Sequence, residues 1–283
     1  MKRALLLLPA FGTLGLLFFG GLGFGLLQSL GFLPLVGEVR PGLGAYLQVI
    51  TRPGFAASFG FTTLVSLMST VLTILFALFT AFSLRTMAAR GRGTASVRFL
   101  YQIPITVPHL VVAVGVLALL GQSGLFARMM YHIGLISEPA GFPALVNDRF
   151  GIGIIVVYVW KQVPFIGLIA LSVLQTVGED YEAVARTLGA GRWQTLWHVL
   201  LPTVIPAILP ASIIVFAYTF GAFEVPLLLG QRFPAMLSVE AYRLYTDTDF
   251  ALRPQAMALM VLITLAVLLL SLLYQRLALR GKQ

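Results

Sequence analysis

Two charged side chains, Lys161 and Glu224, stand inside otherwise apolar stretches of this 283-residue sequence. A charge at bilayer depth costs at least ~2.5–3.5 kcal/mol on insertion scales, so each is a candidate for a solute pathway or an internal ion pair. Measured along helices rising ~1.5 Å per residue, their depths differ by roughly 6 Å, within reach of a lysine stem. Two arrangements satisfy this. Either Glu224 lines a pathway and meets a cationic or hydroxyl-bearing solute, or Glu224 and Lys161 neutralise each other within the bundle, with snorkelling of Lys161 as a variant. Other chemistry finds little to use. The three histidines show no H-x3-H or H-E-x-x-H spacing, and His109 reads as a packed ring rather than a metal ligand. Cysteine is absent, so neither a disulfide framework nor a thiolate metal site is expected. No nucleophile, base and metal set converges on the apolar stretches, and no G-x-x-x-x-G-K-[ST] loop is present to hold a nucleotide. The expectation is a non-catalytic chain with no metal and no cofactor of its own.

The elements that must position these residues belong in a bilayer. Hydrophobic residues make up 59% of the chain and charged ones 10%, against about 25% charged in soluble domains. With a mean hydropathy of +0.95, so much apolar surface cannot be hidden in one soluble core. The net charge of +9 is scattered between apolar runs rather than gathered on one stripe, which argues against a nucleic-acid partner. Six stretches have the ~20 apolar residues that a spanning helix needs: about 4–30, 56–84, 99–120, 151–173, 207–229 and 255–274. The first begins with Lys2 and Arg3 as a signal peptide does, but its apolar run continues to about Leu30 without an A-x-A site, so it reads as a retained span. The predicted fold class is all-α, polytopic, with six transmembrane helices in one domain over 1–283.

Six spans put both termini on one side, and the positive-inside rule selects it. With a cytoplasmic N-terminus, the inner segments carry Lys2, Arg3, Arg85, Arg90, Arg92, Arg98, Arg186, Arg192, Arg276, Arg280 and Lys282 against Glu179, Asp180 and Glu182. The outer loops carry seven arginines and six acids, so nearly all the excess charge lies inside. Both termini are therefore expected in the cytoplasm, in a cell membrane. No internal repeat is visible, and Glu224 is the only intramembrane acid. An ion-coupled secondary transporter or channel, the alternative reading, would use several such acids or broken helices in related halves.

Between spans four and five the chain reads V-G-E-D-Y-E-A-V-A-R-T-L-G-A-G-R-W-Q-T-L-W-H-V-L-L-P, too long and too patterned for a turn. Glu179, Asp180 and Glu182 suit the positive end of a helix. Ala183, Val184, Ala185 and Leu188 supply small or apolar positions, and Gly189 can end the helix with a left-handed cap. A second helix follows over 192–201, with Trp193, Leu196, Trp197 and Leu200 at helical spacing. Pro202 then interrupts the hydrogen-bond ladder as the chain re-enters the membrane. The segment is either a knob for a cytoplasmic partner or an amphipathic connector lying in the interface.

These residues resemble the EAA loop of permeases from binding-protein-dependent ABC importers, E-A-A-x3-G-x9-I-x-L-P. Nine residues, Ala190 to His198, separate Gly189 from Val199, Leu200, Leu201 and Pro202, so the Gly-to-Leu-Pro spacing matches with Val in the Ile place. The acidic end departs: the family Glu falls on Ala183, and Glu182 lies one residue earlier. Trp160-Lys161-x-x-Pro164-Phe165 and the paired Pro104 and Pro108 are similar to patterns in these permeases. Phe223-Glu224-Val225-Pro226-Leu227-Leu228-Leu229-Gly230 resembles a stretch of the importers for polyamines, ferric iron and thiamine. The resemblance centres on 56–275, with a coupling loop over 177–206.

The resemblance implies that Glu182, Ala183, Ala185, Leu188, Gly189, Leu201 and Pro202 form the coupling element to an ATPase. It implies a dimer of ABC ATPase subunits carrying ATP and Mg, a second six-span permease, identical or different, and an extracytoplasmic solute-binding protein. The resemblance implies a small solute; because an acid faces a possible cation path, the first expectation is a polyamine, with ferric iron, thiamine, sulfate, phosphonate or another small solute as alternatives. Glu224 and Lys161 are the candidate pathway residues.

Overall fold

A computed structural model describes residues 2–34, 37, 41–89, 94–176 and 178–280. Glu38, Arg40, Arg90, Arg92 and Lys282, which entered the topology count, lie outside them. Most of the described residues are helical, and they contain no β-strand run. In chain order the helices are α1 (Lys2–Ser29), α2 (Gly44–Ile50), α3 (Phe55–Ala89), α4 (Thr94–Thr106), α5 (His109–Leu120), α6 (Leu125–His132) and α7 (Ile152–Thr176). They continue as α8 (Gly178–Thr187), α9 (Arg192–Thr195), α10 (Leu201–Gly221), α11 (Glu224–Leu229), α12 (Leu237–Tyr245) and α13 (Arg253–Arg280). Among them are six segments long and apolar enough to cross a membrane, as the sequence indicates.

Helices α3 and α7 form the central pair. Side chains packing in lipid gain little from hydrophobic burial, so close approach over small residues decides which faces meet. On α3 the small residues Ser66, Ser69, Thr73, Ala77 and Ala81 recur three or four positions apart and are buried, while Ser58 and Thr62 above them hydrogen-bond Glu240 and Leu237 of α12. Gly167 and Ala170 of α7 answer, with Gly151 just before the helix, all buried. A Cβ on Gly167 would overlap the Tyr101 hydroxyl, which lies over that glycine. The hydroxyl shares a 2.8 Å hydrogen bond with Thr80 Oγ1 and donates to the Val163 carbonyl at 3.0 Å. Glycine at 167 therefore admits α4 against α7.

Three apolar clusters surround this pair. One joins α3, α5, α7, α11 and α12 through Phe61, Val65, Ala113, Ile154, Leu229 and Val239. A second joins α3, α7 and α10 through Ala77, Ala81, Ile166, Ala170, Val204 and Ile208. The third packs α2, α12 and α13 against Phe220 of α10. α1 rests on α13 and leaves its apolar side chains open, Leu16 being 74% exposed, as suits a peripheral helix in lipid.

Two spans differ from the lengths expected of them. The third is broken: α4 stops at Thr106, because Pro108 disfavours helical geometry at Val107, and α5 starts at His109. The fifth begins early, running as one apolar segment over Arg192–Gly221, and it ends before Glu224. Glu224 is therefore the first residue of the separate short helix α11 rather than an interior residue of a span.

Candidate functional site

The coupling segment is built from a helix, a left-handed residue and a second helix. α8 is closed by Gly189 at φ +79°, with Gly189 N–H donating to the Arg186 carbonyl and Ala190 N–H to the Ala185 carbonyl, both at 3.0 Å. This pair of bonds is a Schellman motif, which needs a residue tolerant of positive φ. Gly191 then caps α9, its N–H donating to Gln194 Oε1 at 2.9 Å. The next turn, Leu196–Leu200, is a π turn leading into α10. Pro202 explains it, since its ring and missing N–H are incompatible with an ordinary bond to the residue four earlier. The chain therefore re-enters the bundle without a break, and Leu201 and Pro202 open α10.

The sides of α8 divide cleanly. Ala185 is buried and Glu182 half-buried, whereas Ala183 is exposed. Leu188 is 81% exposed, and Tyr181 and Val184 also stand open, so an apolar tip projects away from the bundle. Glu182 holds the inner side in place. Its carboxylate accepts from Arg85 at the end of α3 at 2.8 Å and from Arg186 one turn later. Arg85 is the tether that pattern reading missed. The signal available was a basic residue at the end of span two facing an acid in the next inner loop.

Lys161 is buried on α7, and its ammonium donates to the carbonyls of Pro104 at 2.6 Å, Ile105 at 3.2 Å and Val107. These are the end groups of α4. In a continuous helix the Pro104 carbonyl would receive the N–H of residue 108, but Pro108 has none. Lys161 supplies the missing donor and places a cation at the negative end of the helix. Its three protons are thereby matched, and the two charged residues do not meet: among the described residues the ion pairs are those of Glu182, and Glu224 has neither an ion pair nor a hydrogen bond.

Glu224 instead borders a cavity of about 180 Å³ lined by Tyr158, Tyr218, Ala222, Phe223, Glu224 and Val225. Tyr158 and Tyr218 meet edge to face at 6.2 Å between ring centroids, and the His109 ring lies 5.0 Å from Tyr218. Tyr158 is fully buried, yet its hydroxyl has no hydrogen-bond partner. The tyrosines were not singled out from the sequence, where single aromatics in apolar helices carry no spacing signal. Asp247 and Asp249 accept backbone N–H groups of Asp249 and Ala251, which shapes the last loop before α13.

A family described as binding-protein-dependent transport system inner membrane component matches this chain over residues 73–280. The molybdenum transport system permease protein ModB of Mycobacterium tuberculosis is 27% identical over 243 residues, covering 84% of this chain and 86% of the relative. The sulfate transport system permease protein CysT of Escherichia coli is 26% identical over 225 residues, covering 80% and 77%. Among solved structures, a chain of a bacterial alginate ABC transporter, in complex with alginate pentasaccharide-bound periplasmic protein, superposes with a TM-score of 0.82 at 18% identity. That match covers 100% of this chain and 95% of the other, and it shows a shared fold.

Proposed function

This chain belongs to the family of binding-protein-dependent transport system inner membrane components, and from that premise we propose that it supplies half of a solute pathway gripped by a separate ATPase through residues 177–206. It is a multi-pass protein of the cytoplasmic membrane and the permease subunit of a binding-protein-dependent ABC importer. In the proposed topology both termini are cytoplasmic, 1–283 is one transmembrane domain, and α8 faces the cytoplasm.

The observation that carries the coupling role is the shape of α8: a capped helix tethered on one side and apolar on the other, with Leu188 81% exposed at its tip. In this reading Leu188 and Ala183 enter a groove on the ATPase and Gly189 ends the knob so that it fits. Ala185 seats the knob on the bundle, and Glu182 fixes its angle through Arg85. Leu201 and Pro202 pass its motion into α10. ATP and Mg act on the partner dimer, which closes on binding nucleotide; a second six-span subunit completes the pathway and an extracytoplasmic binding protein delivers the solute. This chain transmits displacement and does no bond chemistry.

For the solute, the first reading is a small polyamine-type cation, supported by the unpaired carboxylate of Glu224 beside an aromatic cavity. The second is an oxyanion, favoured by relatives named for molybdenum and sulfate transport. Ferric iron, thiamine and phosphonate remain within the same importer class. Reconstitution tests the assignment. The chain alone in liposomes is expected to be inert, and uptake should require the ATPase, ATP and the binding protein. Spermidine uptake without sulfate or molybdate uptake supports the first reading; the reverse selects the second. Solute flux through the chain alone would overturn the importer role.

A further inference from the structure

We propose that Glu224, Tyr158 and Tyr218 form a binding site within the permease for a single protonated amine, a station for an ammonium-bearing solute between α7, α10 and α11. The proposal rests on the importer reading and specifies what the pathway recognises.

Three observations carry it. The exposed Glu224 borders the cavity with no ion pair and no hydrogen bond. The cation that could have neutralised it, Lys161, has its three donors committed to the Pro104, Ile105 and Val107 carbonyls. Tyr158, one of the residues lining the cavity, has a buried hydroxyl without a hydrogen-bond partner. Burying an unpartnered polar group is unfavourable, and in native structures such groups commonly mark a place where a ligand or water is received.

The wall chemistry narrows the ligand. An oxyanion would face the Glu224 carboxylate with no free lysine or arginine on the cavity wall to offset it. A metal ion would want several hard donors, but among the described residues no three His, Cys, Asp or Glu side chains stand close enough to share one. A protonated amine needs less. One N–H can go to the carboxylate and one to the Tyr158 oxygen, with the Tyr218 and Phe223 side chains lining the cavity beside the positive charge. At about 180 Å³ the cavity is smaller than the ~300–1,000 Å³ of sites that enclose a whole ligand, so it accepts one ammonium end of a longer chain. His109, against Tyr218, backs the ring rather than lining the cavity.

The test uses the full chain in lipid nanodiscs, with spermidine and butylammonium as probes and sulfate, molybdate and magnesium as controls, read by the shift in thermal midpoint across a titration. Saturable stabilisation by both amines and none by the controls is expected. Glu224→Gln should weaken the amine response at least about tenfold, as loss of a charge-assisted bond implies, and Glu224→Asp should recover part of it. Tyr158→Phe should weaken it several-fold without lowering the midpoint of the free protein. An undiminished amine response in Glu224→Gln, or stabilisation by sulfate or molybdate in place of amines, would overturn the site. Leu188→Arg separates the two claims: it should abolish ATPase capture and leave amine binding unchanged. Failure to capture an ATPase by the unaltered chain would count against the importer assignment alone.

Discussion

Replacing Lys161 by methionine probes the joint between α4 and α5. The side chain keeps its length and loses the ammonium, which strips donors from the Pro104, Ile105 and Val107 carbonyls. The Pro104 carbonyl cannot be recovered by the backbone, because residue 108 has no N–H. A buried acceptor left unsatisfied costs ~1–3 kcal/mol. The 3.2 Å bond to Ile105 contributes least, so two acceptors at about 1.5 kcal/mol each set the scale. Methionine avoids the cost of desolvating a cation, which offsets part of this. The expected net loss is about 2–3 kcal/mol, or ~5–10 °C in thermal midpoint at ~2–4 °C per kcal/mol. Lys161→Arg should fall between the two, since a planar guanidinium cannot converge on three carbonyls around one point. Intrinsic fluorescence melting in nanodiscs reads the midpoint. A Lys161→Met variant melting within a degree of the parent would refute the capping role.

Three further substitutions address the coupling segment and the central pair. Gly189→Ala places a side chain at φ +79° with open space around it, so the loss of about 1 kcal/mol comes from the backbone alone; Gly189→Asn should lose less, and equal melting and ATPase affinity for glycine, alanine and asparagine would contradict this. A double-mutant cycle of Arg85→Ala and Glu182→Ala should give a coupling energy of about 0.5–1.5 kcal/mol in ATPase affinity, because the 2.8 Å pair is shielded on both sides; strict additivity would remove the tether. Gly167→Ala should lower the thermal midpoint markedly, and adding Tyr101→Phe should restore part of it by removing the overlapped oxygen; no recovery would place the strain elsewhere.

Much of this was legible in the residues themselves. Span counting works because a bilayer demands unbroken apolar length, and six segments follow. Gly189 announced its left-handed cap, since few other residues occupy that conformation, and the Gly189 to Pro202 spacing located the second helix. Long-range polar partners were not legible. The partners of Lys161 are backbone carbonyls, which every residue carries and no pattern marks, so a carboxylate was the natural candidate. The break at Val107 could be suspected from Pro108, but its consequence, an acceptor cluster filled from α7, depends on packing. The apolar run that continues through Leu229 reads Glu224 as part of span five, whereas α10 ends at Gly221. Arg85 and Glu182 are joined only by the folding of α3 beside α8.

The chain contains no cysteine, so one introduced at Leu188 is a unique chemical handle at the tip of α8. Cross-linking that single thiol to the ATPase in the assembled complex tests the coupling role most directly, with a second single-cysteine variant at Phe79, 70% exposed on α3, as the lipid-facing control. The Leu188 variant should cross-link to the ATPase in high yield, more strongly or more weakly as ATP is added, and the bond should halt uptake until it is reduced. No cross-link at Leu188, or uptake that continues with the bond in place, would contradict the assignment of this helix as the coupling element.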